Sequence, residues 1–157
     1  AGLRHTALLY HREWDAYLDT KIQRVTAGGN EMFVGFNSDT GTGALAGTGT
    51  ICNSDSCFGI GLENSNTAWQ YIVNDGDATA DFTASGITND TAVHRFQVWA
   101  ESENNRACFR IDDKPITCLT TEIPATTTDL AVLNLMSTVD ITSDTFEYYW
   151  EYVTSLK

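Results

Sequence analysis

Basic residues, prolines and long apolar runs are scarce in this sequence. Only 9 Lys and Arg stand against 21 Asp and Glu, which gives a formal net charge of −12, and only 2 residues are proline. An acidic chain repels phosphate backbones, so we expect no nucleic-acid partner. No apolar run reaches the roughly 20 residues of a membrane-spanning helix, so we expect no membrane partner either.

The sequence also lacks an interdomain linker, an internal repeat and an initiator Met. Its 157 residues fit a single domain, 1–157, that is long enough to bury a two-sheet core. Because the sequence opens directly at Ala1, we expect a processed or excised piece of a larger chain or assembly.

Metal-type cysteine spacing is absent too. The four cysteines are Cys52, Cys57, Cys108 and Cys118, with no CxxC pair and no His at ligand spacing. Cys52 and Cys57 bracket a short polar loop. Cys108 and Cys118 flank a predicted hairpin with its loop at 112–114, which would place them directly opposite each other. We expect these two local disulfides among the three pairings that four cysteines allow, with free core thiols as the alternative.

No segment carries a helical stripe for three turns, whereas period-two alternation of β-branched and aromatic residues recurs throughout. Turns rich in Gly, Asn and Asp separate these segments. The pattern predicts an antiparallel sandwich or barrel and excludes a parallel α/β fold. The predicted strands are 6–10, 17–25, 31–37, 49–52, 57–63, 68–74, 78–84, 93–101, 106–112, 116–120, 129–136 and 145–154.

Alternation in two of these strands assigns side chains to opposite faces. In strand 93–101 the apolar face holds Phe96, Val98 and Ala100, and the wetter face holds Arg95, Gln97 and Trp99. In strand 145–154 one face is predicted to hold Phe146, Tyr148, Trp150 and Tyr152. Sheets with one packed and one wetter side show this pattern.

Four short segments resemble a known fold family. The sequence from Phe109 to Ile116, FRIDDKPI, resembles the F-x-I-D-G-x-x-V hairpin of concanavalin A-like (laminin-G-like) jelly rolls. Residues 33–36 (FVGF), 69–74 with the following Asn-Asp-Gly turn, and 149–154 (YWEYVT) are similar to other strands of that family, in its order. The resemblance spans about residues 17–155 and departs from the pattern at Asp113, where Gly is usual, and in an abbreviated N-terminal strand.

This resemblance implies an all-β, antiparallel two-sheet jelly-roll sandwich (concanavalin A-like). Such domains recur in structural proteins of tailed phages and related viruses, in lectins and in glycan-binding modules. The departure at Asp113 questions the turn type of the hairpin. The abbreviated N-terminus suggests that another segment or subunit fills an edge of one sheet.

No catalytic pair emerges from the sequence. The run from Glu13 to Asp19, EWDAYLD, resembles the E-x-D-x-(x)-E carboxylates of laminarinase-type jelly-roll hydrolases, but Tyr17 and Leu18 occupy the positions of the second Glu. In one straight strand Glu13 and Asp19 would lie about 20 Å apart, whereas a retaining hydrolase needs carboxyls about 5 Å apart. We therefore expect a protein that is not an enzyme.

Two groups of residues are candidates for binding. Trp69, Tyr71 and Trp99 could stack on sugar faces, although aromatic rings in a sandwich more commonly fill the core. Asn74, Asp75, Asp77 and Asp81 offer hard oxygen ligands for Ca²⁺, although Asn-Asp-Gly is also plain turn chemistry. Beyond calcium, no cofactor is expected.

Two functions fit these observations. The first is a non-catalytic structural domain of a virion or surface assembly, of the capsid decoration, fibre or spike type, with other structural subunits or copies of itself as partners. In that hypothesis the segment 3–10 or another subunit pairs beside strand 145–154. The alternative is a carbohydrate-binding module or lectin with glycan partners, and a glycoside hydrolase or polysaccharide lyase is a distant third. Both main hypotheses place the protein outside the cell or on a virion surface.

Overall fold

The chain forms two antiparallel β-sheets in a computed structural model that describes residues 2–4, 10–25, 31–39, 51–63, 66–77, 79–136 and 146–155. Apart from a 3-10 helix at Arg12–Trp14, every regular element in these ranges is a β-strand. The described residues include no helix with the length and apolarity of a membrane span. The strands are β1 (Gly2–Arg4), β2 (Tyr10–His11), β3 (Ala16–Arg24), β4 (Met32–Asn37), β5 (Ser56–Leu62), β6 (Ala68–Asp75), β7 (Asp81–Thr88), β8 (Val93–Glu101), β9 (Arg106–Ile111), β10 (Thr117–Leu119), β11 (Asp129–Met136) and β12 (Phe146–Ser155).

The strands are arranged in a seven-stranded and a five-stranded sheet. The seven-stranded sheet has the order β1-β11-β4-β5-β6-β7, with β2 also paired to β11, and the five-stranded sheet has the order β10-β9-β8-β3-β12. Neighbouring strands are antiparallel throughout both sheets. The predicted jelly-roll sandwich is confirmed.

The core lies between the two sheets because one side of each strand is apolar. In β8 the predicted apolar residues Phe96, Val98 and Ala100 are all buried in it. Aromatic contacts join the sheets: Tyr71 stacks on Phe109 with ring centroids 5.2 Å apart, and Trp69 meets Phe96 edge-on at 4.8 Å. Pairs of this kind contribute about 0.5–1.5 kcal/mol beyond the area that they bury.

A second apolar cluster covers the outer side of the seven-stranded sheet. Here called the covered face, it consists of Phe33, Ile51, Cys52, Cys57, Ile72 and Ala80, with Phe82 against its edge. Glycine makes this packing possible, because a Cβ at Gly59 would lie 2.6 Å from the Phe33 ring and 2.6 Å from the Val34 carbonyl oxygen. The sheet surface is therefore flat enough for Phe33 to lie across it.

Both predicted disulfides form, Cys52–Cys57 and Cys108–Cys118. Cys108 and Cys118 are directly opposite each other in the β9–β10 register, as the hairpin spacing predicted. The hairpin turn closes with a hydrogen bond from the Lys114 amide to the Ile111 carbonyl. Asp112 has a positive φ of 53° in this turn, one residue before Asp113, where the family usually has Gly.

Three strand predictions need correction or fall partly outside the described residues. Of the predicted strand 49–52, residues 51 and 52 form an isolated bridge and a turn, because Cys52 has a left-handed φ of 59° and begins the disulfide loop. The predicted strand 78–84 begins later and runs further, as Asp81–Thr88. The predicted strand 6–10 lies outside the described residues except for Tyr10, which belongs to β2.

A register shift between Tyr148 and Trp150 interrupts the pairing of the last strand with β3. A strict period of two, which the single-face prediction for strand 145–154 assumed, therefore does not hold through the strand. Beyond the shift, Val153 packs against the core and Tyr152 is 57% exposed. The segment 3–10 or another subunit was also expected beside this strand, but residues 3 and 4 belong to β1, which pairs with β11 in the other sheet. Among the described residues, β3 is the only strand paired to β12.

Candidate functional site

The outer side of the five-stranded sheet carries polar and aromatic residues where the other sheet carries apolar ones. Its register places Tyr17 opposite Trp99, Asp19 opposite Gln97 and Lys21 opposite Arg95. Neighbouring strands extend these rows, with Tyr152 beside Asp19 and Arg110 beside Gln97. This surface, here called the open face, consists of Tyr17, Asp19, Lys21, Arg95, Gln97, Trp99, Glu101, Arg106, Arg110 and Tyr152.

Asp19 is the centre of a hydrogen-bond network on the open face. Arg95 holds its carboxylate with two bonds, Nε to Oδ1 at 2.9 Å and a terminal nitrogen to Oδ2 at 2.5 Å. The Gln97 amide and the Tyr17 hydroxyl each donate to Oδ2 at 3.2 Å. Gln97 also donates to the Tyr17 hydroxyl oxygen at 2.7 Å. With these four donors Asp19 is only 5% exposed although it lies on the outer side of the sheet.

This network also affects the ionisation of its members. The hydrogen bond from Arg95 to Asp19 raises the pKa of Arg95, so its guanidinium stays charged over the physiological range. Burial raises the pKa of Tyr17, and although the hydrogen bond from Gln97 opposes this, the nearby Asp19 carboxylate adds to it. Tyr17 therefore remains a neutral hydroxyl that both donates and accepts.

Three aromatic rings flank the network. Tyr17 is half-buried between the other two, with its ring centroid 6.3 Å from that of Trp99 and 6.4 Å from that of Tyr152. The Trp99 indole donates to Glu101 Oε1 at 3.2 Å, which fixes the ring on the surface of the sheet. Glu101 is itself held by Arg106 and Asn104, and the Asn104 bond, followed by that of Arg106, lowers the pKa of Glu101. Trp99 and Tyr17 are thus held by hydrogen bonds, and Tyr152 lies beside the Tyr17 ring.

The three predicted glycan-binding aromatics are divided between two environments. Trp99 is half-buried on the open face, opposite Cys108 of the Cys108–Cys118 disulfide. Trp69 and Tyr71 do share a strand face, but they are 1% and 3% exposed in the core. A role in stacking on a ligand does not fit this burial, because β6 directs both rings between the sheets. They fill the core, as the alternative proposed.

The predicted calcium ligands lie at the β6–β7 turn, but the acidic residues that come close together there are not the four that were predicted. Asn74 is fully occupied by the protein: its amide donates to the Cys52 and Asp77 carbonyls, and its oxygen accepts from the Gly76 and Asp77 amides. Asp75 and Asp77 instead lie close to Glu122, with ligand oxygens within 4.8 Å of one another. Repulsion from Asp75, followed by burial and by Asp77 and Asp81, raises the pKa of Glu122. Calcium binding stays a prediction.

The hydrolase-like run from Glu13 to Asp19 is not one strand. Glu13 belongs to the 3-10 helix, and Asp15 ends that helix with a left-handed φ of 50° before β3 begins. The Asp15 carboxylate accepts the Ser102 amide at 2.7 Å, which is a structural use. Glu13 and Asp19 therefore lie on different elements. The separation of about 20 Å expected for them assumed one straight strand, which is the wrong geometry.

Sequence reasoning missed Asp19, Tyr17 and Tyr152 as members of a site. It placed Arg95, Gln97 and Trp99 on one wetter face, which is correct. The missing information was that β3 lies beside β8, because no local signal pairs strands more than 70 residues apart. Odd-numbered polar residues in 17–23, alternating with buried ones, were the available indication.

Comparisons with known proteins support the fold. No protein family and no curated protein matches the sequence. Three solved structures are similar: sheep galectin-11 (TM-score 0.55, 12% identity, 98% of this chain and 95% of the galectin), Bacillus licheniformis β-glucanase (0.59, 14%, 94% and 68%), and the CBM40 of a Ruminococcus gnavus IT-sialidase bound to α2,3 sialyllactose (0.53, 10%, 99% and 91%). At these identities the likeness confirms the concanavalin A-like jelly-roll fold alone. It gives no support to the expected link with phage or viral proteins.

Proposed function

We propose that this domain binds carbohydrate on the open face, with Trp99, Tyr17 and Tyr152 as its stacking surface. The observation that carries the proposal is that these rings flank a polar network whose members are already fixed by their own hydrogen bonds. A sugar has an apolar C–H face and a rim of hydroxyls. Aromatic rings beside fixed donors and acceptors match both features.

Preorganisation strengthens this proposal. Tyr17, Asp19, Arg95 and Gln97 form one connected network, so few side-chain torsions remain to be frozen when a ligand binds. Each immobilised side chain otherwise costs about 0.5–1.5 kcal/mol of binding free energy. A shallow surface that makes few contacts depends on avoiding this cost.

The fold supports a carbohydrate ligand better than the structural virion role that we placed first from the sequence. Its solved neighbours include a galectin and a CBM40 bound to a sialylated sugar, which are lectin and glycan-binding proteins. Fold alone does not fix function, so the proposal depends on the open face. The two disulfides agree with a secreted or extracellular setting, because such bonds persist in oxidising compartments.

We further propose that the open face is not catalytic. Asp19 lies opposite Gln97, and Glu101 is four residues further along β8, which is about 13 Å at 3.3 Å per residue. Glycosidase carboxyls stand about 5–9.5 Å apart. The Asp19 carboxylate is also engaged by Arg95, Gln97 and Tyr17 and is only 5% exposed, so it is poorly placed to exchange a proton with a substrate.

A glycan array followed by calorimetry on the strongest ligand tests the proposal. Trp99→Ala should weaken binding by about tenfold or more, because the loss of one buried aromatic contact is worth at least about 1.4 kcal/mol. The matched control is Trp14→Ala, which removes a 40% exposed indole that stacks on His11 and is not one of the open-face residues. Failure of the intact protein to bind any glycan, or equal losses in both variants, would refute the proposed site.

A further inference from the structure

Positive charge is concentrated on one side of this acidic protein. Seven Lys and Arg side chains are described, and two of them, Arg12 and Arg24, are buried. The other five are in the five-stranded sheet or its hairpin loop: Lys21, Arg95, Arg106, Arg110 and Lys114. In a chain with a net charge of −12, the accessible positive charges of the described residues are therefore grouped on this sheet.

Lys21 and Arg95 form a like-charged pair across two strands. They are directly opposite each other in the β3–β8 register, and opposed like charges destabilise a sheet. Arg95 is compensated by its ion pair with Asp19 at 2.5 Å. Lys21 takes part in none of the ion pairs formed among the described residues. One positive charge of the row therefore has no counter-charge among the described residues.

Arg110 is a second cation that can change partner. It is the neighbour of Gln97 in the β8–β9 register, two strands from β3, or about 10 Å away from it. Its ion pair is with Asp113 at 3.5 Å, and the Asp113 side chain is completely exposed. A surface pair of this kind contributes about 0–1 kcal/mol, so a ligand anion can replace Asp113 at little cost.

We infer that the ligand of the open face is an acidic glycan, whose carboxylate or sulfate groups meet Lys21 and Arg110 while its sugar rings lie on Tyr17, Trp99 and Tyr152. This inference rests on the proposed function and names its substrate class. A nucleic acid would extend beyond the cationic row over the rest of a chain whose net charge is −12. A short acidic glycan would contact only the row. The aromatic rings beside that row favour a sugar over an acidic peptide.

Paired probes that differ only in charge test the inference on the intact protein. Oligogalacturonate is compared with its methyl ester, α2,3-sialyllactose with lactose, and dextran sulfate with dextran. At least one acidic probe should bind about tenfold tighter than its neutral partner, and the difference should shrink as the salt concentration rises. Lys21→Gln should remove most of this difference, because it weakens the acidic probe much more than the neutral one.

The matched control is Lys114→Gln, which removes the same charge from the exposed hairpin loop and should leave both affinities unchanged. If neutral and acidic probes bind equally, the acidic class is wrong and carbohydrate binding stands. If no probe of either kind binds and the glycan array is also blank, both proposals fail. If polyglutamate or single-stranded DNA bound as tightly as the acidic glycan and lost the same affinity in Lys21→Gln, the surface would bind any anion without selecting for sugar. The inference would then be overturned.

Discussion

The two outer faces of this sandwich have the same pleated geometry and opposite character. On the covered face, strand β5 alternates Gly59 and Gly61 with its core residues, and the chain lays Phe33 and Ile51 across the flat strip that results. On the open face the corresponding positions of β3 and β8 are long polar or aromatic side chains, which leave no such strip. In this molecule glycines accompany the outer face that the chain covers, and long side chains accompany the outer face that the described residues leave uncovered.

The largest expected effect comes from filling the glycine strip. Gly59→Ala places a Cβ within 2.6 Å of both the Phe33 ring and the Val34 carbonyl, so we expect a loss of about 2–3 kcal/mol in the free energy of unfolding, measured in urea. Gly86→Ala is the control, because its Cβ meets nothing within 4 Å and its φ of 73° costs only about 1–2 kcal/mol of backbone strain. A loss in Gly59→Ala no larger than that in Gly86→Ala would contradict the steric clash with Phe33 and Val34, because of the two glycines only Gly86 has a positive φ.

A smaller effect is expected from uncoupling the open-face network. Asp19→Asn keeps the shape of the side chain and removes its charge, so its bonds to Arg95 weaken. Arg95 is half-exposed, so solvent screening reduces the pair to about 1 kcal/mol of coupling free energy, measured in a double-mutant cycle with Arg95→Gln. Glycan affinity should fall in both single variants. If the two stability changes were strictly additive, Asp19 and Arg95 would not be coupled, which would contradict the hydrogen-bond network.

The smallest effect concerns the acidic group at the β6–β7 turn. The pKa of Glu122 is raised in the folded state by Asp75 above all, so the folded protein is relatively favoured at pH values below about 4.3 and loses that advantage as the pH rises through the raised pKa. Glu122→Gln should therefore raise the melting temperature slightly at pH 7 and make no difference at pH 3. If calcium binds there, adding it should stabilise the natural protein more than this variant. A variant less stable at pH 7 without calcium would contradict the repulsion.

The sequence predicted the fold better than the site because the two depend on different ranges of contact. Alternation and turn residues are local, so β8 and β11 were predicted with their bounds, and the Cys108–Cys118 pairing followed from hairpin spacing. The open face depends on β3 lying between β8 and β12, which only the assembled sheet reveals. The register shift in β12 could not be predicted from the alternation of residue types either, because that alternation continues across it in the sequence.

Trp69 and Trp99 show the same limit for single residues. Both are tryptophans on strands, and local pattern gave each the same candidate role in stacking on sugars. Their difference in burial arises because β6 directs Trp69 towards Phe96 of the opposite sheet, whereas β8 directs Trp99 away from the core. Only the packing of two sheets distinguishes them.

Amide chemical-shift mapping with the strongest glycan from the array tests the central claim most directly. We expect the shifted amides to lie in β3, β8 and the β12 residues near Tyr152, with β4, β5 and β6 unchanged, because the covered face is closed by Phe33 and Ile51. Shifts concentrated around Phe33 and Ile72, with β3 and β8 silent, would contradict it. Such shifts would place the ligand on the covered face.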